Sequence, residues 1–277
     1  MLKECLENVR RMAPLIHNIT NYVTINDVAN VLLACGASPI MSDEAEDAAQ
    51  ITSICAGLNI NLGQLHKTGV EGMLRAGKRA NELGHPVLLD PVGVGVSDFR
   101  RETALMLLRE IRFTAIRGNA SEVRALAEGR RTAGGVDADE ADAVTGNGLE
   151  RDAAFLKAFS EQTGCVVVMT GAMDLIADKK RCFLVRNGRP EMSRVTGTGC
   201  QLSGMMCAYL AANPEHPLEA AVSAVCAMGL AGELAWSRMR EDEGNAAYRN
   251  RIIDAIYLMS GEELEQGGRM ELLLGGL

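Results

Sequence analysis

Short apolar runs alternate along this chain with longer stretches in which apolar positions recur at three- and four-residue spacing. The short runs, at 38–41, 57–61, 86–90, 114–117 and 165–170, have the length of buried strands. The longer ones predict helices over 21–34, 45–56, 68–83, 100–109 and 139–162, with three more in the last third. Gly36 after Cys35, and Gly84 followed by Pro86, supply helix stops. Strand–helix alternation of this kind predicts an α/β fold, a mostly parallel central sheet flanked by helices. The segment 174–186 differs: two β-like runs, 175–177 and 182–185, enclose the polar turn Asp178-Lys-Lys-Arg181 and predict an antiparallel edge hairpin. No repeat or low-complexity tract divides the chain, so residues 1–277 are expected to form one domain. The glycine- and aspartate-rich stretch 129–147 reads as a surface segment, either a lid or a plain loop.

Composition narrows the function classes. With 277 residues, 47% of them hydrophobic, the chain is long enough to bury a large core. A formal charge of -8 has the wrong sign for a nucleic-acid binder, and 4% aromatic residues leave few stacking platforms. Lys3, Glu4, Glu7, Arg10 and Arg11 precede any long apolar run, and no uninterrupted apolar stretch reaches spanning length. A cytoplasmic protein that handles small molecules, without membrane or nucleic-acid partners, is the expectation. The eight cysteines contain no C-x-x-C pair and are expected to be reduced and structural, with Cys200 the exception.

Thr196-Gly-Thr-Gly-Cys200 opens into an apolar helical run. A glycine-rich turn before a helix lets backbone N–H groups and the helix dipole converge on an anion, and a cysteine in the first turn is biased toward thiolate. The same residues also suit a plain turn into a core helix. Because ligands bind beyond the carboxyl ends of parallel strands, polar residues that end the β-like runs are the partners to look for. Asp90, in Asp90-Pro-Val-Gly93, is either a Mg²⁺-side carboxylate or a turn former. Arg117-Gly-Asn119-Ala-Ser-Glu122 offers a cation for phosphates, a helix cap in Asn119 or Ser121, and in Glu122 an acid able to share a hydrated Mg²⁺. Thr170 and Gly171 end a further run. His17-Asn-Ile-Thr-Asn21-Tyr-Val23-Thr24 and Ser38-Pro-Ile-Met41-Ser can line a small pocket, although core packing accounts for Met41 as well.

Taken together and in order, HNITNYVT, GASPIMS, DPVGVG, RGNASE, VMTGAMD and VTGTGC resemble the hydroxyethylthiazole kinases of thiamine salvage, from about residue 14 to residue 240. The resemblance implies a ribokinase-like fold and Mg²⁺-dependent transfer of the γ-phosphate of ATP to 4-methyl-5-(2-hydroxyethyl)thiazole. It further implies a homotrimer whose sites are completed across subunit interfaces. By motif, Cys200 takes the catalytic position, with Gly197, Thr198 and Gly199 as the anion hole. Asp90 and Glu122 match the metal-side acids. Arg117, Thr170 and Gly171 match nucleotide-side positions, with Asn119 beside them, while Asn21, Val23, Met41, Gly63 and Gly197 match the thiazole side. Gln64 and Val94 depart from the family pattern, which expects a smaller hydroxyl residue and an alanine there. A kinase of the same fold for hydroxymethylpyrimidine or pyridoxal is the nearest alternative. A cysteine hydrolase pairing Cys200 with His17 is a more distant one.

Overall fold

The computed structural model describes residues 1–129 and 148–275. The stretch at 129–147 therefore lies, apart from Gly129, outside the described residues, as does the predicted start of the helix at 139. Nine strands form one sheet. In chain order they are β1 (Leu15–Ile19), β2 (Ser38–Met41), β3 (Gly57–Asn61), β4 (Val87–Asp90), β5 (Ala115–Asn119), β6 (Val166–Thr170), β7 (Asp174–Ala177), β8 (Cys182–Val185) and β9 (Met270–Leu274). They lie side by side in the order β2-β1-β3-β4-β5-β6-β7-β8-β9. The first six are parallel, and β7, β8 and β9 close that edge antiparallel.

Helices cover both faces, which explains why the strands read as unbroken apolar runs rather than alternating ones. Leu88, Val166 and Val168 point into one core, while Val87, Leu89, Val167 and Met169 point into the other. The first core is covered by α1 (Leu2–Met12), α2 (Ile25–Cys35), α8 (Thr198–Ala212), α9 (Pro217–Ser237), α10 (Asn245–Leu258) and α11 (Gly261–Gly267). The second is covered by α3 (Ala48–Ile54), α4 (Lys67–Leu83), α5 (Asp98–Glu110), α6 (Ala120–Glu128) and α7 (Leu149–Thr163). Gly36 and Gly84 end α2 and α4 in the left-handed conformation, as their positions predict.

Helix α8 is apolar all round because it packs against α1, α2 and α9 as well as the sheet. Every residue from Cys200 to Ala212 is buried. Helix α9 is long and apolar enough to cross a membrane by length and composition, but 83% of its apolar window is buried within the protein, as in a core helix.

Four features depart from the sequence reading. Strand β1 carries His17 and Asn18, which hide it in a pattern search, and the helix expected from residue 21 starts only at Ile25. Four described helices, not three, occupy the last third. The C-terminal strand β9 pairs with β8, so the chain end serves the sheet.

Candidate active site

The parallel strands end in polar residues that sheet register places side by side. Asn61 on β3 pairs with Asp90 on β4, and Asn119 on β5 with Thr170 on β6. Leu89 pairs with Ile116, so the next step sets Asp90 beside Arg117. The N-terminus of α8 faces this row. Gly197 has φ +83°, and a Cβ there would come within 2.3 Å of Thr24 Cγ2, so the turn requires glycine. Gly199 is in close contact for a different reason: a Cβ would meet Arg117 Nη1 at 2.6 Å, because the guanidinium lies across the helix start.

Asp90 is fully buried. Its Oδ2 accepts hydrogen bonds from Asn61 Nδ2 at 2.7 Å and Ser203 Oγ at 2.8 Å, and lies 3.8 Å from Arg117 Nη1. Its Oδ1 has no hydrogen-bond partner. Burial raises the Asp90 carboxyl above its ordinary range, against the opposing pull of Arg117 and the two hydrogen bonds.

Glu122 has both structural and electrostatic roles. It completes a capping box with Asn119, whose side chain accepts from the Glu122 N–H while Glu122 Oε2 accepts from the Asn119 N–H at 2.9 Å. Its Oε1 accepts from the Gly93 N–H at 2.9 Å, tying the loop after β4 to α6. Burial, and then the neighbouring Asp90 charge, push this carboxyl up to about 7. Arg117 donates from Nη2 to Thr170 Oγ1 at 2.7 Å. The Gly171 N–H donates to Asp174 Oδ1 at 2.9 Å, which fixes the turn after β6.

Cys200 Sγ accepts from Asn21 Nδ2 at 3.3 Å and Asn61 Nδ2 at 3.2 Å. The expectation that the helix start favours a thiolate is not met. Burial, followed by the Asp90 charge, raises the thiol above its ordinary range, and the nearby Thr24, Asn61 and Arg117 only reduce that rise. His17 does not pair with Cys200. It is buried between Thr52 Oγ1 and the Ser42 carbonyl, each 2.9 Å away, which leaves the cysteine-hydrolase reading without its base.

Asn21 and Gly63 are in contact, since a Cβ on Gly63 would meet Asn21 Nδ2 at 2.8 Å. Met41 is half-buried at the end of β2, packed against the first core. Val23 lies in the β1–α2 loop and is 73% exposed. Gln64 Oε1 accepts from the Tyr22 N–H at 3.2 Å, so this departure from the expected pattern links the two loops that carry Asn21 and Gly63.

Sequence reasoning missed Asn61 and Arg100. Asn61 ends a β-like run just as Asp90 does, and searching every strand end for polar residues finds it. Arg100, in the first turn of α5, donates to the carbonyls of Leu62, Gly63 and Val92, joining the loops after β3 and β4. No motif marks it.

Residues 6–262 match the family model described as the hydroxyethylthiazole kinase family. The chain belongs to the hydroxyethylthiazole kinase family. A hydroxyethylthiazole kinase of Clostridium acetobutylicum is 56% identical over 98% of this chain and 99% of its own length. One from Desulfovibrio desulfuricans is 44% identical over 97% and 96%. The solved structure of the hydroxyethylthiazole kinase protein from Pyrococcus horikoshii OT3 superposes with a TM-score of 0.87 at 31% identity, covering 98% of both chains. A pyridoxal kinase from Staphylococcus aureus, at 14% identity and a TM-score of 0.63 over 94% of this chain and 98% of its own, shares the ribokinase-like fold.

Proposed function

We propose that this kinase transfers the γ-phosphoryl group of ATP to the primary alcohol of 4-methyl-5-(2-hydroxyethyl)thiazole, at the junction of the strand ends with the start of α8. One observation carries the reading: Cys200, Asp90, Arg117 and the open amides of α8 converge on one spot, although they come from distant parts of the sequence. Phosphoryl transfer asks a protein chiefly for alignment and charge neutralisation. The N–H groups of Thr198, Gly199 and Cys200 have the unpaired amides of any helix start and face the transferred group. Arg117, steadied by Thr170, offsets phosphate charge, with Asn119 and Gly171 on the nucleotide side. As the alcohol oxygen bonds to phosphorus and the bond to the ADP oxygen breaks, the hydroxyl proton passes to Cys200 Sγ in its thiolate form, which becomes the thiol.

The donor set fits Mg²⁺. The unpartnered, buried Oδ1 of Asp90 offers a ligating oxygen. Glu122, with each oxygen already bound to a backbone amide, suits contact through water. When bound, the ion neutralises charge on the phosphates. Asp90 and Glu122 would hold it.

Asn21, Val23, Met41, Gly63 and Gly197 form the acceptor wall. The exposure of Val23 and Tyr22 supports a homotrimer in which a neighbouring subunit covers that wall. The eight free, buried cysteines support a cytoplasmic enzyme. The test is ADP release with hydroxyethylthiazole as acceptor, run with and without Mg²⁺. Turnover that needs both the alcohol and the ion is expected. Equal rates with pyridoxal or hydroxymethylpyrimidine would overturn the assignment of the acceptor.

A further inference from the structure

The Cys200 sulfur lies where two amide side chains end, and each amide is oriented by a backbone N–H that lies away from the sulfur. An asparagine presents an acceptor at one end and donors at the other, so what each end meets decides which way it points. The Thr24 N–H donates to Asn21 Oδ1 at 3.2 Å, joined by Thr24 Oγ1 at 3.1 Å. The Gly63 N–H donates to Asn61 Oδ1 at 2.8 Å. Reversing either amide would set an NH₂ group against a backbone N–H. Asn61 is fixed further because Asp90 Oδ2 can only accept from its Nδ2. Gly63 is itself anchored through its carbonyl, which accepts from Arg100 Nη2 at 2.9 Å.

We propose that Asn21 and Asn61 are positioning residues whose two N–H donors form a pocket for negative charge on the Cys200 sulfur and aim its remaining lone pair at the acceptor alcohol. A thiolate has three lone-pair directions, and the two amides occupy two of them. The third is left for the incoming proton, which the alcohol gives up as its oxygen bonds to phosphorus and the ADP oxygen departs with the bonding pair. The Asn61 donor also works against the burial that disfavours charge on this sulfur. The inference rests on the reading of Cys200 as the proton acceptor.

Asn21 gives the cleaner test, because Asn61 touches Asp90 directly whereas Asn21 reaches it only through its Nδ2 bond to Asn61 Oδ1 at 3.1 Å. Asn21→Ser keeps a short acceptor for the Thr24 N–H but cannot reach the sulfur, and Asn21→Asp keeps the shape while exchanging the donor for an acceptor. Each is made in the wild-type and Cys200→Ala backgrounds, with melting temperatures confirming a folded protein. A fall in kcat of about tenfold or more is expected with Cys200 present, the scale of a hydrogen bond to a charged group. Without Cys200 the fall is expected to be at least about fivefold smaller, what is left reflecting Asn21's own place in the acceptor wall, and KM for ATP should hold in both. The same fall in both backgrounds, or none with Cys200, would overturn the proposal. A second readout needs no turnover: iodoacetamide labelling of Cys200 at fixed pH, followed by peptide mass spectrometry, should be several-fold slower in Asn21→Asp. Unchanged labelling also overturns the pocket, whereas absence of ADP release by wild type with the thiazole alcohol overturns only the functional reading.

Discussion

On the proposed phosphate side of the site, Asp90, Glu122 and Arg117 are held by one another, by Ser203 and Thr170, and by two backbone amides. On the proposed acceptor side, Tyr22 and Val23 are exposed in the single chain, where a neighbouring subunit of the proposed trimer would cover them, and Gln64 and Asn21 stitch their loops to β3 and the loop after it. The first wall is preorganised and electrostatically costly, with two acids kept in the interior close to one another. The second is inexpensive in folding terms and, within the single chain, open. Charge stabilisation during phosphoryl transfer needs fixed dipoles, whereas admitting a small neutral alcohol needs access.

The sharpest way to break this comparison is Asp90→Asn. An amide oxygen can keep the hydrogen bonds from Asn61 and Ser203 while the buried charge disappears. Turnover should fall by about 10²-fold or more, with a melting temperature equal to or above that of wild type. A stable variant that keeps full activity would remove Asp90 from the phosphate side.

Glu122→Gln comes next and is read in stability. The carboxyl sits at about 7 in the folded protein, above its ordinary 4.5, so between those values the folded state binds the proton that the unfolded state releases. Its contribution is therefore most favourable at acidic pH, and stability is lost as pH rises through about 7, by something on the order of 3 kcal/mol. Thermal melts of wild type from pH 5 to 8 should carry this loss, and the difference between wild type and Glu122→Gln should isolate it. A pH-independent difference would show that Glu122 is ionised throughout.

The smallest effect belongs to Val23→Ser on the open wall. A rise of a few-fold in KM for the alcohol is expected, with kcat and melting temperature near wild type, since an exposed side chain contributes little to folding. A large loss of kcat would mean that this wall is as preorganised as the other.

The fold was legible because both sheet faces are buried, so β2 to β6 appear as short apolar runs, and β7 and β8 betray themselves by the charged turn between them. Strand β1 was not, since His17 and Asn18 put polar atoms into the interior and satisfy them through Thr52, Ser42 and the Ile16 carbonyl, contacts that no local pattern reveals. Within the site, Asp90, Arg117, Glu122 and Thr170 announce themselves as polar ends of apolar runs. The departure at Cys200 has a different origin. A helix start can be read from glycines, but the depth of burial and the distance to Asp90 exist only after folding.

Helix α8 sets the terms on which this enzyme can change. Its first turn carries the sulfur and the amides proposed to face the phosphoryl group, and the rest of it is packed among three helices and the sheet. Shifting that turn by even a fraction of an ångström would require repacking the centre of the molecule. The exposed tips of the loops after β1 and β3, at Tyr22, Val23 and Gln64, have no such anchor, unlike the buried Thr20, Asn21 and Leu62 beside them. New acceptor alcohols should therefore be sought by randomising those tips, while libraries aimed at α8 should return mostly unfolded chains.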